Sequence, residues 1–557
     1  MKETVGYQIA RSLAEAGITT IFGVISIHNM PIIDGIAEQK RIRFVPARGE
    51  AGAMNMADAF ARITGEIGVA LTSTGIGAGN AAGAQVEALT AGTRLLHITT
   101  QVDREFMDRD RAAIHDVPKQ PDMLKGISKQ YFRMWDEKSV IGTLEAALSA
   151  AVSPPSGPVS LEIPVDIQRL EAIESTKMLK PVEVSTRVQD EKIAQLAALV
   201  KKAKRPMLWL GGGSRRAGDE AEELVKRGFG DVTSTQGRAV VAENNPSTLG
   251  AFNMTPEAQA IYAQSDLMIV VGSRLRGNET LNNKMKLPKP LIQIDAEATQ
   301  GGRNYPIELF LHGDSKDTLS RLLELLPETL EVDPQQSEDI AIAKTKSEAA
   351  LCEKLGPYQV VADTLLSRIP QGQHPWVRDV TISNSTFGNR YVQVAAPHLG
   401  VHSLGGGIGQ GIAMGIGAAI KLSTGTLPPG LSDTPKGGRF GVARFIGDRH
   451  ANGNFPALNR RVRDGLPGSH LQMLVDAIRH ARPDIDLLVL ERQVRNCGDQ
   501  TNPLSGWPHG DSPNVSLAVD LEGGFEPGDD LGECVGGDEA LDDAGEDGEV
   551  LWEGRLS

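Results

Sequence analysis

The segment Ser403-Leu-Gly-Gly-Gly-Ile-Gly-Gln-Gly-Ile-Ala-Met-Gly-Ile-Gly-Ala-Ala-Ile420 has seven glycines among its eighteen residues. A glycine cluster that opens a helix lets a second backbone approach closely and leaves N–H groups free to hold an anion. The helical half carries an isoleucine at every fourth position, which makes one apolar ridge. By itself the segment supports two interpretations, a tightly packed helix of an α/β core and a ligand-binding turn.

Upstream of this segment, apolar strands alternate with helical patterns over residues 1–170. Because strands separated by helices pair in parallel, this alternation predicts a doubly wound parallel sheet of the α/β class. One of the helices is expected to run from Glu50 to about Ile63. The predicted strands are 19–24, 42–47, 67–73, 93–100 and 158–166.

Two further α/β units follow, so the chain is predicted to hold three doubly wound parallel-sheet domains. The second covers 190–330, and the third covers 355–490 with a pattern that diverges after residue 420. Residues 171–190 and the charged segment 327–353 are interpreted as linkers. The last segment, 491–557, is rich in glycine, proline and acids and is predicted to be a disordered acidic tail.

Composition and charge exclude several classes of protein. The net charge of −14 is misleading, because residues 520–557 contain 14 acidic residues and one basic residue and so supply −13 of it. The remainder is nearly neutral, which argues against nucleic-acid binding. No apolar run approaches the ~20 residues of a membrane span. The three cysteines lack metal-type spacing and cannot form a disulfide framework, so the expected location is cytoplasmic.

Several polar residues lie where strands end, the usual place for ligand sites in parallel sheets. Glu50 opens a helix, where a carboxylate either complements the helix dipole or contacts a ligand. Asp448 ends an apolar strand, where it is either an ordinary loop residue or a Mg²⁺ ligand. His115 and Gln120 lie in a polar loop, where most side chains are simply solvated.

Taken together and in order, these stretches resemble one family closely. The chain resembles the thiamine-diphosphate-dependent enzymes of the acetolactate synthase and pyruvate oxidase type, from about residue 1 to 420. The segment RGEAGA at 48–53 is similar to the family segment with the catalytic glutamate. TSTGIGAGN at 72–80 is similar to its TSGPGATN-type loop. QGR at 236–238 and GSRL at 272–275 resemble its central domain, and the glycine-rich segment resembles the stretch before its cofactor motif.

The resemblance implies a pyrimidine-binding, a central and a diphosphate-binding domain. It implies that Glu50 promotes the imino form of the cofactor's aminopyrimidine, which creates a thiazolium C2 ylid that attacks a small 2-keto acid. It further implies that Ile408 wedges the cofactor into its bent shape and that His115 faces the substrate. Asp448 and Asp476 would be the Mg²⁺ ligands. The other cofactor-binding residues implied are Gly75, Ile76, Gly77, Asn80, Gly406 and Gly407.

The resemblance also implies an assembly, because in this family the glutamate and the diphosphate site come from different subunits. A homodimer or homotetramer is therefore expected. The expected activity is that of an acetolactate synthase-like lyase or carboligase. The alternatives are an acyl-CoA lyase, an aryl 2-keto acid decarboxylase, or an inactive homologue with an impaired Mg²⁺-diphosphate site.

Several positions depart from the family pattern. The metal motif Gly-Asp-Gly is represented by Gly447-Asp448-Arg449, and Asp476 stands where an asparagine is expected. His115 stands where acetolactate synthases carry a glutamine, which weakens that particular activity. The family strand and helix are not recognisable after about residue 490, as expected of a frameshift or a divergent tail. No motif supports FAD in the central domain, although FAD stays an option.

Overall fold

A computed structural model describes residues 3–423 except 176–178, 357, 369–373 and 381, and also the two strands 487–492 and 515–519. All of these residues belong to one compact unit, Met1–Glu522. The predicted metal ligands Asp448 and Asp476 lie outside them.

The first domain is built on a six-stranded, wholly parallel sheet with strand order β2-β1-β3-β4-β6-β5. Its strands are β1 Thr20–Gly23, β2 Arg43–Pro46, β3 Gly68–Thr72, β4 Leu95–Gln101, β5 Gln130–Arg133 and β6 Pro158–Pro164. Its helices are α1 Val5–Glu15, α2 Met30–Gln39, α3 Glu50–Thr64, α4 Ile76–Ala91, α5 Gln120–Gly126, α6 Val140–Val152 and α7 Val165–Arg169. Separate apolar clusters cover its two faces, so the predicted α/β class is confirmed.

The central domain has a five-stranded parallel sheet with strand order β11-β10-β9-β7-β8. Its strands are β7 Pro206–Leu210, β8 Gly230–Thr233, β9 Leu267–Val271, β10 Leu291–Asp295 and β11 Leu309–His312. Its helices are α8 Asp190–Val200, α9 Gly218–Lys226, α10 Pro256–Gln264 and α11 Ser315–Leu325. This sheet also buries an apolar cluster on each face.

The charged segment 327–353 is not a linker, and this prediction is wrong. Most of it belongs to a long helix, α12 Gln336–Leu355, that packs against the central sheet. Ile340 is fully buried there, and Ser347 exchanges a hydrogen bond with Thr255 at 2.9 Å. The helix is anchored by few apolar residues and by polar contacts, so its apolar pattern in the sequence is weak.

The third predicted domain is described in part. Its elements are α13 Tyr358–Arg368, β12 Trp376–Arg378, α14 Ile382–Ser385, β13 Gly400–His402 and α15 Gly411–Ser423. Strands β12 and β13 pair in parallel. Two strands further on, β14 Leu487–Arg492 and β15 Val515–Val519, pair antiparallel. β15 lies within the segment that was predicted to be a disordered tail. Apart from β15, the residues after β14 are outside the part of the chain that the structure describes.

None of the described helices is both long and apolar enough to cross a lipid bilayer.

Candidate active site

Glu50 lies at the carboxyl edge of the first sheet, immediately after β2, as the first residue of α3. Its Oε2 accepts a hydrogen bond of 3.1 Å from Nδ2 of Asn80, which lies in the first turns of α4. A carboxylate at a helix start is stabilised by the helix dipole. The bond to Asn80 fixes the side chain toward the turn before α4, beyond what the dipole alone requires.

Two glycines, Gly75 just before α4 and Gly77 in its first turn, lie where other parts of the first domain come closest to the backbone. Gly75 has a φ of +59°, which favours glycine, and a Cβ there would lie 2.2 Å from the carbonyl oxygen of His115. A Cβ on Gly77 would lie 3.2 Å from Oε1 of Glu50. Ile76, between them, is 67% exposed. The structure thus brings six of the predicted site residues together: Glu50, Gly75, Ile76, Gly77, Asn80 and His115.

Gln120 holds this turn in place, and its role exceeds the solvated loop position expected for it. The side chain is fully buried. Its Oε1 accepts a hydrogen bond of 2.6 Å from the N–H of Gly75, and its Nε2 donates one of 2.7 Å to Oε1 of Glu162. Glu162 is itself buried and accepts a 2.6 Å bond from the hydroxyl of Tyr131. Only the fold reveals this role, since these residues are far apart in the sequence.

The glycine-rich segment is anchored by Glu87, near the far end of α4. Its carboxylate accepts hydrogen bonds from the N–H groups of Leu404 and Gly405, at 2.5 and 2.6 Å. It also pairs with Nη2 of Arg62 at 3.1 Å. The Nη1 of the same arginine donates a 2.7 Å hydrogen bond to the carbonyl of His402. Glu87 was not among the predicted site residues, because the backbone groups it holds, Leu404 and Gly405, lie more than 300 positions away.

The predicted cofactor residues Gly406, Gly407 and Ile408 follow this anchor directly. Gly406 has a φ of +83°, and Ile408 is 57% exposed. The anchor Glu87 lies eleven residues beyond Ile76 on α4, which is ~16 Å at 1.5 Å per residue. Within one chain, the glycine-rich segment therefore begins at the opposite end of α4 from Glu50.

A second concave site opens beside the central domain, with a volume of about 470 Å³. Its lining includes the glycine turn after β7 and the cis dipeptide Pro154-Pro155 of the first domain. Arg215 is half-buried, and its desolvation lowers its pKa to about 10. The lining contains six arginines: Arg62, Arg94, Arg215, Arg216, Arg274 and Arg276.

A metal site is not defined by this part of the chain. Among the described residues, no group of three or more histidine, cysteine, aspartate or glutamate side chains could hold a metal ion. Both predicted Mg²⁺ ligands, Asp448 and Asp476, fall in the segment that the structure does not describe.

Comparison with known proteins identifies the class. Residues 3–123 match the N-terminal TPP binding domain of thiamine pyrophosphate enzymes, and residues 193–322 match the central domain of the same enzymes. Both segments of the chain therefore match domains of thiamine pyrophosphate enzymes, as the sequence motifs predict.

Proteins similar to this chain include a decarboxylase and acetolactate synthases. The chain is 26% identical over 420 residues to a probable 2-ketoarginine decarboxylase of Pseudomonas aeruginosa, with 75% of each protein covered. It is 28% identical over 346 residues to the acetolactate synthase large subunit of Corynebacterium glutamicum, covering 60% of this chain and 54% of that protein. It is 27% identical over 345 residues to a chloroplastic acetolactate synthase of Arabidopsis thaliana, covering 58% of this chain and 50% of that protein. The chain thus spans about half the length of these two synthases.

Proposed function

We propose that this protein is a thiamine-diphosphate-dependent lyase or carboligase that acts on a small 2-keto acid. The observation that carries the proposal is the placement of Glu50 against Gly77, at the start of α4, where Gly75 and Gly77 carry no side chains. The two matched family domains support the cofactor. The acetolactate synthases and the 2-ketoarginine decarboxylase among the relatives support a 2-keto acid as substrate.

The residues present fit the aminopyrimidine half of thiamine diphosphate. Asn80 engages one oxygen of Glu50, so the other is placed to accept a hydrogen bond from a ring N–H. Glycine at 77 lets the backbone of α4 lie close to that carboxylate, because a Cβ there would lie 3.2 Å from Oε1 of Glu50. Exposed Ile76 offers an apolar contact for the same ring.

When bound, thiamine diphosphate supplies a carbon nucleophile and an electron sink for cleavage next to a keto group. In this proposal Glu50 holds or releases a proton at the pyrimidine ring, and Asn80 keeps its carboxylate oriented. His115 lies on the other side of Gly75 and faces the substrate. Ile408 supports the cofactor from the glycine-rich segment. Mg²⁺ bound by Asp448 and Asp476 completes the proposal.

We place the complete site between two copies of the chain, in a homodimer or homotetramer. Two facts support this arrangement. Glu50 and the start of the glycine-rich segment lie at opposite ends of α4 in one chain, so one copy does not bring both halves together. A group of apolar side chains at the carboxyl edge of the first sheet is also exposed in the single chain: Ile25, Ile27, Ile76, Ile114 and Val117. A second copy would cover them.

The arginine-lined cleft beside the central domain supports an anionic second ligand, because guanidinium groups bind phosphates well. FAD is the ligand we test there, by titration of the purified protein and the change in flavin absorbance. The cytoplasmic location belongs to the same proposal and rests on cysteine usage.

Calorimetry with thiamine diphosphate, with and without Mg²⁺, tests the core of the proposal. We expect saturable binding that requires Mg²⁺, and its absence would refute the cofactor assignment. Glu50→Gln should leave folding intact and slow deuterium exchange at C2 of the bound cofactor by at least tenfold. Glu38→Gln, an exposed substitution on α2, is the matched control and should exchange at the wild-type rate.

Product analysis separates the candidate activities. A carboligase converts pyruvate into acetolactate, whereas a decarboxylase releases an aldehyde. The similarity to the 2-ketoarginine decarboxylase over three quarters of both chains favours the decarboxylase as the second candidate. An acyl-CoA lyase would require a CoA thioester. An inactive homologue would bind the cofactor without C2 exchange.

A further inference from the structure

Glu162 on β6 is a fully buried carboxylate on which four side-chain donors meet. Its Oε1 accepts hydrogen bonds from the amide groups of Gln101 and Gln120, at 3.2 and 2.7 Å. Its Oε2 accepts them from the hydroxyl of Tyr131 and from the guanidinium group of Arg133. A carboxylate offers about four acceptor sites, so those of Glu162 are filled.

The two glutamines that donate to Glu162 use their amide oxygens on the turn before α4. Oε1 of Gln120 accepts the N–H of Gly75 at 2.6 Å. Oε1 of Gln101 accepts the hydroxyl of Thr74 at 3.0 Å. Thr74 and Gly75 are both buried. Each amide therefore presents its NH₂ group to the carboxylate and its oxygen to the turn.

The carboxylate of Glu162 imposes this orientation on both amides. A carboxylate only accepts hydrogen bonds, whereas a glutamine amide has an acceptor on one side and two donors on the other. If the amide of Gln120 turned over, its oxygen would face the oxygen of Glu162, and its NH₂ group would face the N–H of Gly75. Buried polar groups left without partners in this way are costly, so the turned-over amide is excluded.

The turn held by these amides is continuous with the residues beside Glu50. Gly75 directly precedes α4, and Asn80 of this helix donates the 3.1 Å hydrogen bond to Oε2 of Glu50. A Cβ on Gly77 would lie 3.2 Å from Oε1 of the same carboxylate. A shift of the start of α4 therefore moves Asn80 relative to Glu50. In an active site, a misplacement of ~1 Å can slow the reaction about a hundredfold.

We propose that Glu162 is a positioning residue of the candidate active site. By orienting the amides of Gln101 and Gln120, it fixes the start of α4 where Asn80 can orient Glu50. Because its side chain is fully buried, Glu162 acts through the two glutamines. The effect on cofactor chemistry rests on the proposed function, whereas the effect on the turn can be measured without cofactor.

Two substitutions in the whole protein separate this role from a merely structural one. Glu162→Gln keeps the shape of the side chain but lets the neighbouring amides turn over, because a glutamine presents a donor or an acceptor. Adding Gln120→Glu restores an obligatory acceptor for the N–H of Gly75. A role confined to the ion pair with Arg133 would not be rescued by this second change. Gln336→Met, which removes a buried amide beside the central sheet, is the matched control.

Hydrogen exchange of the cofactor-free protein, followed by mass spectrometry of fragments that resolve the N–H of Gly75, measures the turn directly. This N–H should exchange at least tenfold faster in Glu162→Gln than in the wild type. It should return to within threefold of the wild type in the double variant, and Gln336→Met should match the wild type. An unchanged rate in Glu162→Gln, or a double variant that exchanges as fast as Glu162→Gln, overturns the proposal.

If Glu162→Gln does not fold, Gln120→Met decides in its place. This substitution removes the acceptor of the Gly75 N–H and leaves the carboxylate with its other donors. The N–H should again exchange at least tenfold faster. A wild-type rate would show that the oriented amide does not hold the turn, which overturns the proposal.

Deuterium exchange at C2 of bound thiamine diphosphate measures the effect on Glu50. It is recorded at saturating cofactor and at a temperature at which every variant is folded, so a loss of stability alone leaves the rate unchanged. The rate should fall at least fivefold in Glu162→Gln and recover in the double variant. A wild-type rate in Glu162→Gln overturns the assignment. A wild type that binds no cofactor refutes the proposed function, while the effect of Glu162 on the turn stands or falls with the exchange at Gly75.

Discussion

Replacement of Glu87 by glutamine tests how the glycine-rich segment is held in place. The wild-type carboxylate is 2% exposed and accepts two backbone hydrogen bonds, from Leu404 and Gly405. It also pairs with Arg62. Glutamine has nearly the same shape but only one acceptor oxygen. One of the two N–H groups would therefore face an amide NH₂ group, and Arg62 would lose one of its two carboxylate partners.

The expected loss of stability follows from these contacts. A hydrogen bond to a charged group contributes about 1.5–3 kcal/mol, and removal of one partner of a buried ion pair costs about 3–5 kcal/mol. Arg62 keeps the carboxylate of Asp58, 2.6 Å away, so the second cost applies only in part. We expect Glu87→Gln to lower the free energy of unfolding by about 2–4 kcal/mol, within the range of these two effects.

Cofactor affinity should fall as well. The anchor orders the chain just before Gly406, and fixing the backbone of one residue costs about 1–2 kcal/mol. If binding has to order even one more residue, the dissociation constant of thiamine diphosphate rises about tenfold, since 1.4 kcal/mol corresponds to a factor of ten.

Urea unfolding followed by circular dichroism measures the stability, and calorimetry measures the cofactor affinity. Glu38→Gln on exposed α2 controls for the change of charge. A loss below about 0.5 kcal/mol, within the spread of ordinary surface substitutions, together with an unchanged cofactor affinity would show that Glu87 does not anchor the segment.

Two further predictions concern the first domain. Gly75→Ala should destabilise the protein and abolish C2 exchange, because it forces a positive φ and places Cβ 2.2 Å from the carbonyl of His115. Gly83→Ala, on α4 with open space at its Cβ, should instead stabilise by about 0.5–1 kcal/mol in the same urea assay. Burial lowers the pKa of His97 to about 3, so the unfolded state binds a proton more readily than the folded state between pH 6.5 and 3. The free energy of unfolding should therefore fall by up to about 1.4 kcal/mol per pH unit as the pH drops through that window. In His97→Asn the urea midpoint should not show this dependence on pH. An identical dependence in the variant would contradict the lowered pKa of His97.

The sequence predicts strands well where burial on both faces makes a continuous apolar run. β6, in PVSLEIP, and β9, in LMIVV, are of this kind, and every residue in both is buried. β5, in QYFR, is an edge strand with one exposed and three half-buried residues. Its polar composition carries no strand period that a sequence pattern can detect. β8 and β11, at the edges of the central sheet, are not predicted either, because each is only four residues long and gives too short a pattern.

The residues of the candidate site also differ in how far the sequence alone predicts them. Glu50, Gly75 and Gly77 are predicted because they lie in contiguous motifs, and the structure brings them together. Gln120 and Glu87 act through partners that are distant in sequence, so no local pattern distinguishes them from solvated residues.

The glycine-rich segment supports both of its initial interpretations, at different positions. At Gly417 a Cβ would lie 2.1 Å from the carbonyl of Met56, so this glycine allows α15 to pack directly on the backbone of α3. That is the role expected in a packed core. At Gly406 a Cβ would meet no atom within 4 Å, and the neighbouring Ile408 is exposed. Glycine at 406 is required by its positive φ and not by close packing. Glu87 holds the backbone N–H of the preceding residue, Gly405. The helical half therefore fastens the segment to the first domain, whereas Gly406 and Ile408 stay outside this packing.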